Sequence, residues 1–303
     1  MNFVEQQRRN RRRTLLLIAV FVALLAGSGV ALDVALIGAP IPIATITSVV
    51  IAGAVALLGW RGGADWVMSR LLAEPLRPRE PEHRQLEHIA RELAIAAGVP
   101  RPRLFVIPDP SPNALAAGVQ RDRCAIAVTT GALALLDREE TQGVVAHELA
   151  HICNRDTAVM TLVSILFGGL LMLADWASRS LAFARPAGRA ASPLALLCVP
   201  LLILIAPLLS RGLAAAVSRQ REYLADARAV ELTRNPEGLA RALEKIAGSE
   251  FPLRAATRST AHLFIASPLR PRATAEPSAW AALFATHPPL AERIALLRGG
   301  HTA

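Results

Sequence analysis

The stretch VVAHELAHICNRD, residues 144–156, decides how the rest of the chain is interpreted. His147 and His151 are four residues apart, so on a helix both imidazoles lie on one face and can bind the same ion. Glu148 lies about 100° further around the helix, within reach of a water molecule beside that ion. The pattern H-E-x-x-H therefore predicts a zinc site with two ligands and one general base. The alternative is an exposed helical face that carries two ordinary histidines.

Four long runs without charged residues account for the apolar composition of the chain. They cover residues 14–32, 34–60, 157–174 and 190–210. Hydrophobic residues make up 53% of the sequence and the mean hydropathy is +0.38, which is too apolar for an ordinary soluble domain. Because a helix of about 20 apolar residues crosses a membrane, the sequence predicts an integral membrane protein with about four transmembrane helices. The first run also fits a cleaved signal peptide, but the second run follows so closely that a retained hairpin is favoured.

Arginine dominates a net charge of +9, and its densest cluster comes directly before the first apolar run. The cluster consists of Arg8, Arg9, Arg11, Arg12 and Arg13. Aromatic residues are only 4% of the chain, which argues against the basic and aromatic stripe of a nucleic-acid-binding surface. We therefore interpret the cluster as a signal that keeps the N-terminus in the cytoplasm, and we predict no nucleic-acid partner. The segment 175–189 holds three arginines and conflicts with this topology, so either the rule is broken there or runs three and four form a shallow hairpin.

The stretch SRQREYLADARA, residues 218–229, offers a third metal ligand. Glu222 and Asp226 are four apart on a predicted helix, so Glu222 can bind the ion while Asp226 accepts a hydrogen bond from the far nitrogen of a ligand histidine. Two apolar runs separate this helix from His147, and a chain that enters and leaves the membrane returns Glu222 to the same face. The alternative is a solvated helix whose charges form surface ion pairs.

Local signals predict helices around a small sheet. Residues 81–98 have apolar side chains at helical spacing, and RLFVI at 103–107 is typical of a strand. The polar Arg121–Arg123 separates two apolar stretches and indicates a hairpin. Asp137 and Glu140 form the capping-box pattern at the start of the helix that carries the two histidines. The predicted fold class is therefore mainly α with a small β-sheet.

Four motifs together resemble the HtpX-type membrane zinc metalloproteases, relatives of the type 1 CAAX prenyl protease. They are HELAHICNRD at 147–156, SRQREYLADARA at 218–229, SPNALAAG at 111–118 and THPPLAERI at 286–294, and the resemblance covers most of the chain. It implies a cytoplasmic zincin-like (gluzincin) protease domain with one Zn²⁺ per chain. The implied zinc ligands are His147, His151 and Glu222, and Glu148 is the implied catalytic base.

The resemblance also implies residues around the metal. It implies an edge strand that binds an extended peptide through Asn113, Ala114, Ala116 and Gly118, and it implies that His287, Arg293 and Asn154 lie near the active site. From the residues alone, the strand is equally well an ordinary sheet edge. His287 precedes two prolines, which favour an extended backbone, so it is a catalytic candidate that can donate to an oxyanion, or else a helix N-cap. Leu115 departs from the aromatic residue that family members often carry there.

These inferences divide the chain into five segments. Residues 1–13 form the basic cytoplasmic N-terminus, 14–60 a transmembrane hairpin, 61–156 the first part of the protease domain, 157–217 a second membrane hairpin, and 218–303 the second part of that domain with the third ligand. We expect a multi-pass protein of the cell inner (plasma) membrane whose active site faces the cytoplasm. Its partners are then the lipid bilayer and polypeptide substrates.

The expected activity is zinc-dependent endopeptidase cleavage of misfolded or damaged membrane proteins, a role in protein quality control and stress response. One alternative is a CAAX-type prenyl-protein endoprotease, but that group usually has more spans. The other is a non-catalytic membrane scaffold or transporter subunit. Transporters tend to carry ionisable groups inside their spans, and the four apolar runs of this chain contain none.

Overall fold

Two long helices begin the chain in a computed structural model that describes residues 3–33, 42–166, 168, 219–257, 259–266 and 288–299. Helix α1 is Phe3–Leu32 and helix α2 is Ile43–Arg70, and they pack against each other. Within the described ranges, Thr45–Arg70 is the one helix long and apolar enough to cross a membrane by length and composition. The end of the third apolar run and all of the fourth are outside these ranges, so the prediction of four spans stays a prediction.

Helix α2 continues ten residues beyond the predicted end of the first hairpin at residue 60. The extension has two faces: Ala64, Val67 and Met68 are buried, whereas Arg61 and Asp65 are exposed. This spacing of three and four residues is the pattern of a helix that packs on a core. The end of α2 therefore belongs to the protein interior, where its buried side chains join a cluster with the sheet.

A four-stranded sheet follows, built from short strands. Its strands are β1 Glu74–Pro75, β2 Arg103–Ile107, β3 Ala114–Ala117 and β4 Ala125–Thr129, in the order β1-β2-β4-β3. Strands β3 and β4 are antiparallel across a 3₁₀ turn at Arg121–Arg123, which confirms the predicted hairpin. Strands β2 and β4 are parallel, a pairing that the sequence did not reveal. Strand β3 is consequently an edge of the sheet.

The helices of the domain surround α5, Arg138–Cys153, which carries the H-E-x-x-H pattern. The others are α3 Pro81–Ala97, α4 Thr130–Leu135, α7 Arg219–Thr233, α8 Pro236–Gly248 and α9 Leu290–Leu297. Thirteen of the sixteen residues of α5 are buried, so it is the central helix. Gly143 lets α8 approach, because a Cβ there would lie 2.8 Å from the Leu239 backbone.

Helix α6, Asp156–Leu166, is the described part of the third apolar run. It starts just after α5, from which Asn154 and Arg155 separate it, and its residues from Thr157 to Leu166 are at most 6% exposed. Thr161 accepts a hydrogen bond from the Gly118 N–H at 2.8 Å, and Ser164 lies 3.2 Å from His262 Nε2. The run therefore begins inside the protein, with polar groups that join it to the end of the sheet.

Candidate metalloprotease active site

A capping box marks the start of α5. The Asp137 side chain accepts from the Glu140 N–H at 2.9 Å, and the Glu140 side chain accepts from the Asp137 N–H at 2.8 Å. This confirms the predicted capping box, which satisfies two backbone donors that a helix start otherwise leaves unpaired. Glu140 is also buried and bonded to Lys245 at 2.7 Å, so the start of α5 is tied to α8.

Three predicted ligands converge on one point. The Nε2 atoms of His147 and His151 are 3.1 Å apart, and their rings are perpendicular. The Glu222 carboxylate, contributed by α7, lies 3.8 Å from His147 Nε2 and 3.6 Å from His151 Nε2. All three side chains are at most 5% exposed. The helix that follows the apolar segments therefore returns Glu222 to the histidine face, as the sequence predicted.

Asp226 and Arg293 hold the far side of the His147 ring. His147 Nδ1 lies 2.9 Å from Asp226 Oδ1, the contact predicted for Asp226 from its spacing. Arg293 donates two parallel hydrogen bonds to the same carboxylate, at 2.8 and 2.7 Å, and a third to the Ile265 carbonyl at 3.0 Å. Arg293 is completely buried, and its guanidinium also lies 3.6 Å from Glu222. The charge of Arg293 holds the pKa of Asp226 down at about 2, against a burial effect that alone would raise it.

Asp156 holds the far side of the His151 ring and was missed in the sequence. His151 Nδ1 lies 3.2 Å from Asp156 Oδ2, and Asp156 is fully buried. The one signal was an acidic residue five positions after the second histidine and directly before an apolar run. Each imidazole therefore has a carboxylate on the nitrogen that faces away from the convergence point, the usual arrangement around a bound metal.

The surroundings of the two histidines shift their pKa values in opposite directions. Burial, aided by the charge of Arg293, lowers the pKa of His147 to about 4. Burial would lower that of His151 too, but the bond to Asp156 and the charge of Glu222 raise its pKa to about 9. Both rings must be neutral to bind a metal, so a bound cation would displace the proton that His151 otherwise keeps.

Glu148 points into the same space from the neighbouring side of α5. It is 1% exposed, and burial raises its pKa to about 8. The Ala116 backbone N–H lies near its carboxylate and favours the charged form, and its Oε1 is buried with no hydrogen-bond partner within the described ranges. A buried carboxylate oxygen without a partner is costly, so this geometry fits a group that acts on a water molecule or a substrate.

The site fits a tetrahedral divalent cation. Two imidazole nitrogens and one carboxylate oxygen are a common donor set of catalytic zinc. Tetrahedral bonds of about 2.05 Å separate neighbouring ligand atoms by about 3.3 Å. The two Nε2 atoms here are 3.1 Å apart, and Glu222 approaches His151 Nε2 with Oε1 at 3.6 Å and His147 Nε2 with Oε2 at 3.8 Å. One possible ligand atom from each of His147, His151 and Glu222 lies within 4.8 Å of the other two, close enough for the three residues to hold one metal ion.

Comparison with known proteins gives the family. The model of peptidase family M48 matches residues 80–300, well over half of the sequence. The chain belongs to peptidase family M48. The resemblance inferred from the four motifs is thereby confirmed.

Relatives of this M48 member match it over nearly its whole length. A "Protease HtpX homolog" from Lactobacillus acidophilus is 37% identical, with 96% of this chain and 97% of the relative covered. A protein of the same name from Ligilactobacillus salivarius is 39% identical over the same shares of the two chains. A crystal structure of S. mikatae Ste24p is 19% identical, with a TM-score of 0.49 over 97% of this chain and 67% of that one. The family and the relatives make the chain a membrane metalloprotease.

The predicted substrate strand of this M48 protease is β3. Polar groups along it and at its two ends are bonded to other segments of the protein. The Ala114 carbonyl accepts from the Ile265 N–H at 2.9 Å, and the Asn113 side chain donates to the Ala266 carbonyl at 3.0 Å. Gly118 donates to Thr161, whereas Ala116 faces Glu148. Of the four predicted substrate-binding residues, Ala116 therefore lies beside Glu148, the predicted catalytic base.

Two further predicted site residues have different outcomes. Asn154 is the C-cap of α5, and its carbonyl accepts a hydrogen bond from the Asn10 side chain at 2.9 Å. Asn154 therefore lies at the turn between α5 and α6, next to the segment that carries Asp156. His287 is outside the described residues, so its predicted role stays a prediction.

Proposed function

We propose that this M48 protease is a zinc-dependent endopeptidase that binds one Zn²⁺ through His147, His151 and Glu222. The observation that carries the proposal is the convergence of these three groups, at 3.1–3.8 Å, with a carboxylate behind each imidazole. When bound, zinc supplies Lewis acidity to a peptide carbonyl and to a water molecule. Glu148 then takes a proton from the attacking water and passes it to the leaving amine.

The proposed substrate is a polypeptide that lies extended beside β3. The edge strand of a sheet can bind a peptide through main-chain hydrogen bonds. Strand β3 is at the edge of its sheet, although its residues are buried, and Ala116 is the β3 residue next to Glu148. Asn113, Ala114 and Gly118 are proposed to extend the binding edge on either side. The segment Phe264–Ala266 contacts Asn113, Ala114 and Leu115, so a long peptide has to displace it or enter beside Ala116. We propose that His287 donates to the developing oxyanion.

We propose that the protein spans the membrane several times and that its active site faces the cytoplasm. Helices α1 and α2 expose large aliphatic side chains, including Leu16 at 63%, Val50 at 64% and Leu58 at 70%, as lipid-facing surfaces do. The arginine-rich start of α1 contacts the end of α5 through Gln7 and Asn10. The metal site is therefore close to the positive charges that favour the cytoplasmic side. Membrane proteins that are misfolded or damaged are the substrates within reach of such a site.

The decisive test is the variant Glu148→Gln, purified in detergent with Glu139→Gln as its matched control. Glu139 is on the same helix but is exposed and bonded to Arg241. We expect Glu148→Gln to keep stoichiometric zinc and to cleave an unfolded polypeptide about 10²–10⁴-fold more slowly, because a general base contributes that much. The Glu139 control should match the parent. A parent without zinc, or a Glu148→Gln variant as fast as the parent, would refute the proposed chemistry.

Two further measurements separate the finer parts of the proposal. Cleavage of unmodified and farnesylated peptides distinguishes a general endopeptidase from a prenyl-protein endoprotease, and we expect no requirement for the farnesyl group. Protease access to the Arg77 loop in inverted and right-side-out vesicles gives the orientation. We expect cleavage in inverted vesicles, since Arg77 is exposed on the same domain as the metal site; cleavage in right-side-out vesicles would place the site outside the cell.

A further inference from the structure

The cytoplasmic start of α1 contains one polar residue whose environment differs from that of its neighbours. Arg8, Arg9, Arg11 and Arg12 are exposed, but Asn10 between them is completely buried. Burial of an unbonded amide is costly, so the position of Asn10 has to be explained by its partners.

Those partners are at the metal site, about 145 residues further along the chain. The Asn10 side-chain NH₂ donates to the Asn154 carbonyl at 2.9 Å and to Asp156 Oδ1 at 2.7 Å. The other oxygen of Asp156 lies 3.2 Å from His151 Nδ1. A continuous path of hydrogen bonds thus leads from α1 through one buried carboxylate to a proposed zinc ligand.

The two contacts of Asp156 constrain its carboxylate on both oxygens. Arg221 lies near Oδ1 as well, at 3.7 Å, a longer contact than the bond from Asn10. A carboxylate that is bonded through only one oxygen can rotate about its terminal torsion, which is broad. The bond from Asn10 restricts that rotation and directs Oδ2 at the His151 ring.

We propose that Asn10 is a positioning residue of the metal site, which acts on His151 through Asp156. The inference rests on the proposed function, because it concerns the same zinc site. It gives the N-terminal helix a role beyond membrane anchoring and topology: one of its side chains helps to orient a metal ligand. Groups bonded directly to a ligand histidine typically change metal affinity by about 10–100-fold when they are removed, and Asn10 acts one hydrogen bond further out, so we expect the lower end of that range.

Helix docking is the competing explanation, and Gln7 separates the two. Gln7 lies one turn before Asn10 and donates to the Cys153 carbonyl at 3.1 Å. It therefore also joins α1 to the end of α5, but its hydrogen bond goes to the Cys153 carbonyl and not to Asp156. If Asn10 only docks α1, its removal and that of Gln7 should have similar effects.

The experiment measures zinc affinity of the full-length protein in detergent by competition with a chelator, together with the visible spectrum of the Co²⁺-substituted protein. Asn10→Ala should weaken zinc binding about tenfold and alter the Co²⁺ ligand-field bands. Gln7→Ala should stay within about twofold of the parent, as surface changes usually do. The double variant Asn10→Ala with Asp156→Ala should bind zinc as Asp156→Ala alone does, because residues on one path are not additive.

Three results would overturn the inference. They are unchanged zinc affinity in Asn10→Ala, an equal loss in Gln7→Ala, and additive losses in the double variant. Asn10→Ser, a small polar replacement, serves if Asn10→Ala does not fold, and thermal unfolding of the metal-free proteins checks folding. A parent that binds no zinc would refute the proposed function itself, whereas a parent that binds zinc with an unaffected Asn10→Ala refutes only the positioning role.

Discussion

The two histidines of α5 offer the same nitrogen to the same point, yet they are held from opposite parts of the chain. His147 is backed by Asp226 and the fully buried Arg293, both after the apolar segments. His151 is backed by Asp156, close in sequence, and through it by Asn10 of the first helix. The support of His147 is a bidentate buried ion pair, whereas that of His151 has a longer contact to the buried Arg221, at 3.7 Å, and ends in a neutral amide. The difference shows that two equivalent ligands can be held by groups whose loss would cost unequal amounts of folding free energy.

The largest contrast is expected between Asp226→Asn and Asp156→Asn. Both remove a carboxylate behind an imidazole, so each should weaken zinc binding by about 10–100-fold. Only Asp226→Asn leaves the buried Arg293 without its bidentate partner, a loss that costs about 3–5 kcal/mol when one member of a buried pair is removed. Denaturant unfolding of the metal-free variants in detergent measures this difference. Equal destabilisation of the two variants would contradict the distinction drawn between the two supports.

A smaller effect is expected from Arg293→Lys, which keeps the charge and loses the planar fork. Lysine is unable to donate two parallel bonds to Asp226, and each lost charged hydrogen bond costs about 1.5–3 kcal/mol. The matched control is Arg298→Lys, because Arg298 is also bonded to two carboxylates but is 42% exposed.

Solvent screens the Arg298 pairs, so the control should change stability little. Thermal unfolding compares the two arginines directly. If Arg298→Lys is as damaging as Arg293→Lys, burial is not what makes the His147 support strong.

The smallest effect is expected at the start of α5, away from both supports. Asp137→Ala removes the capping box and should lower the free energy of unfolding by about 1 kcal/mol. Zinc affinity, measured by chelator competition, should stay unchanged, because the buried half of α5 sets the position of the histidines. A parallel fall in zinc affinity would show that the helix start controls the ligand geometry.

Local chemistry made much of this molecule predictable. Helix α3, strand β2, the hairpin at Arg121–Arg123 and the capping box of α5 all follow from short-range patterns, and the structure has each of them. Glu222 and Asp226 were predictable because two residues four apart share a helical face. The same spacing predicted that Asp226 accepts from a ligand histidine, and the structure shows that this histidine is His147.

What the sequence did not reveal depends on backbone turns and long-range contacts. Arg155, directly before Asp156, has a positive φ of 59°. Arginine rarely adopts this conformation, so nothing in the sequence indicated the turn that brings Asp156 to His151. Asn10 meets the site across some 145 positions, and neither its spacing nor its type indicates that partner. The parallel pairing of β2 with β4 is likewise a tertiary property.

The wide separation of the site's parts along the chain has a consequence for biosynthesis. Translation delivers the HELAH segment early, while Glu222, Asp226 and Arg293 are still unmade. A chain that has not been translated beyond Glu222 lacks one of the three proposed zinc ligands, and until codon 293 it lacks the ion pair behind another. On the proposed mechanism, a nascent chain shorter than 222 residues should therefore be inactive, and full zinc affinity should require the helix that carries Arg293.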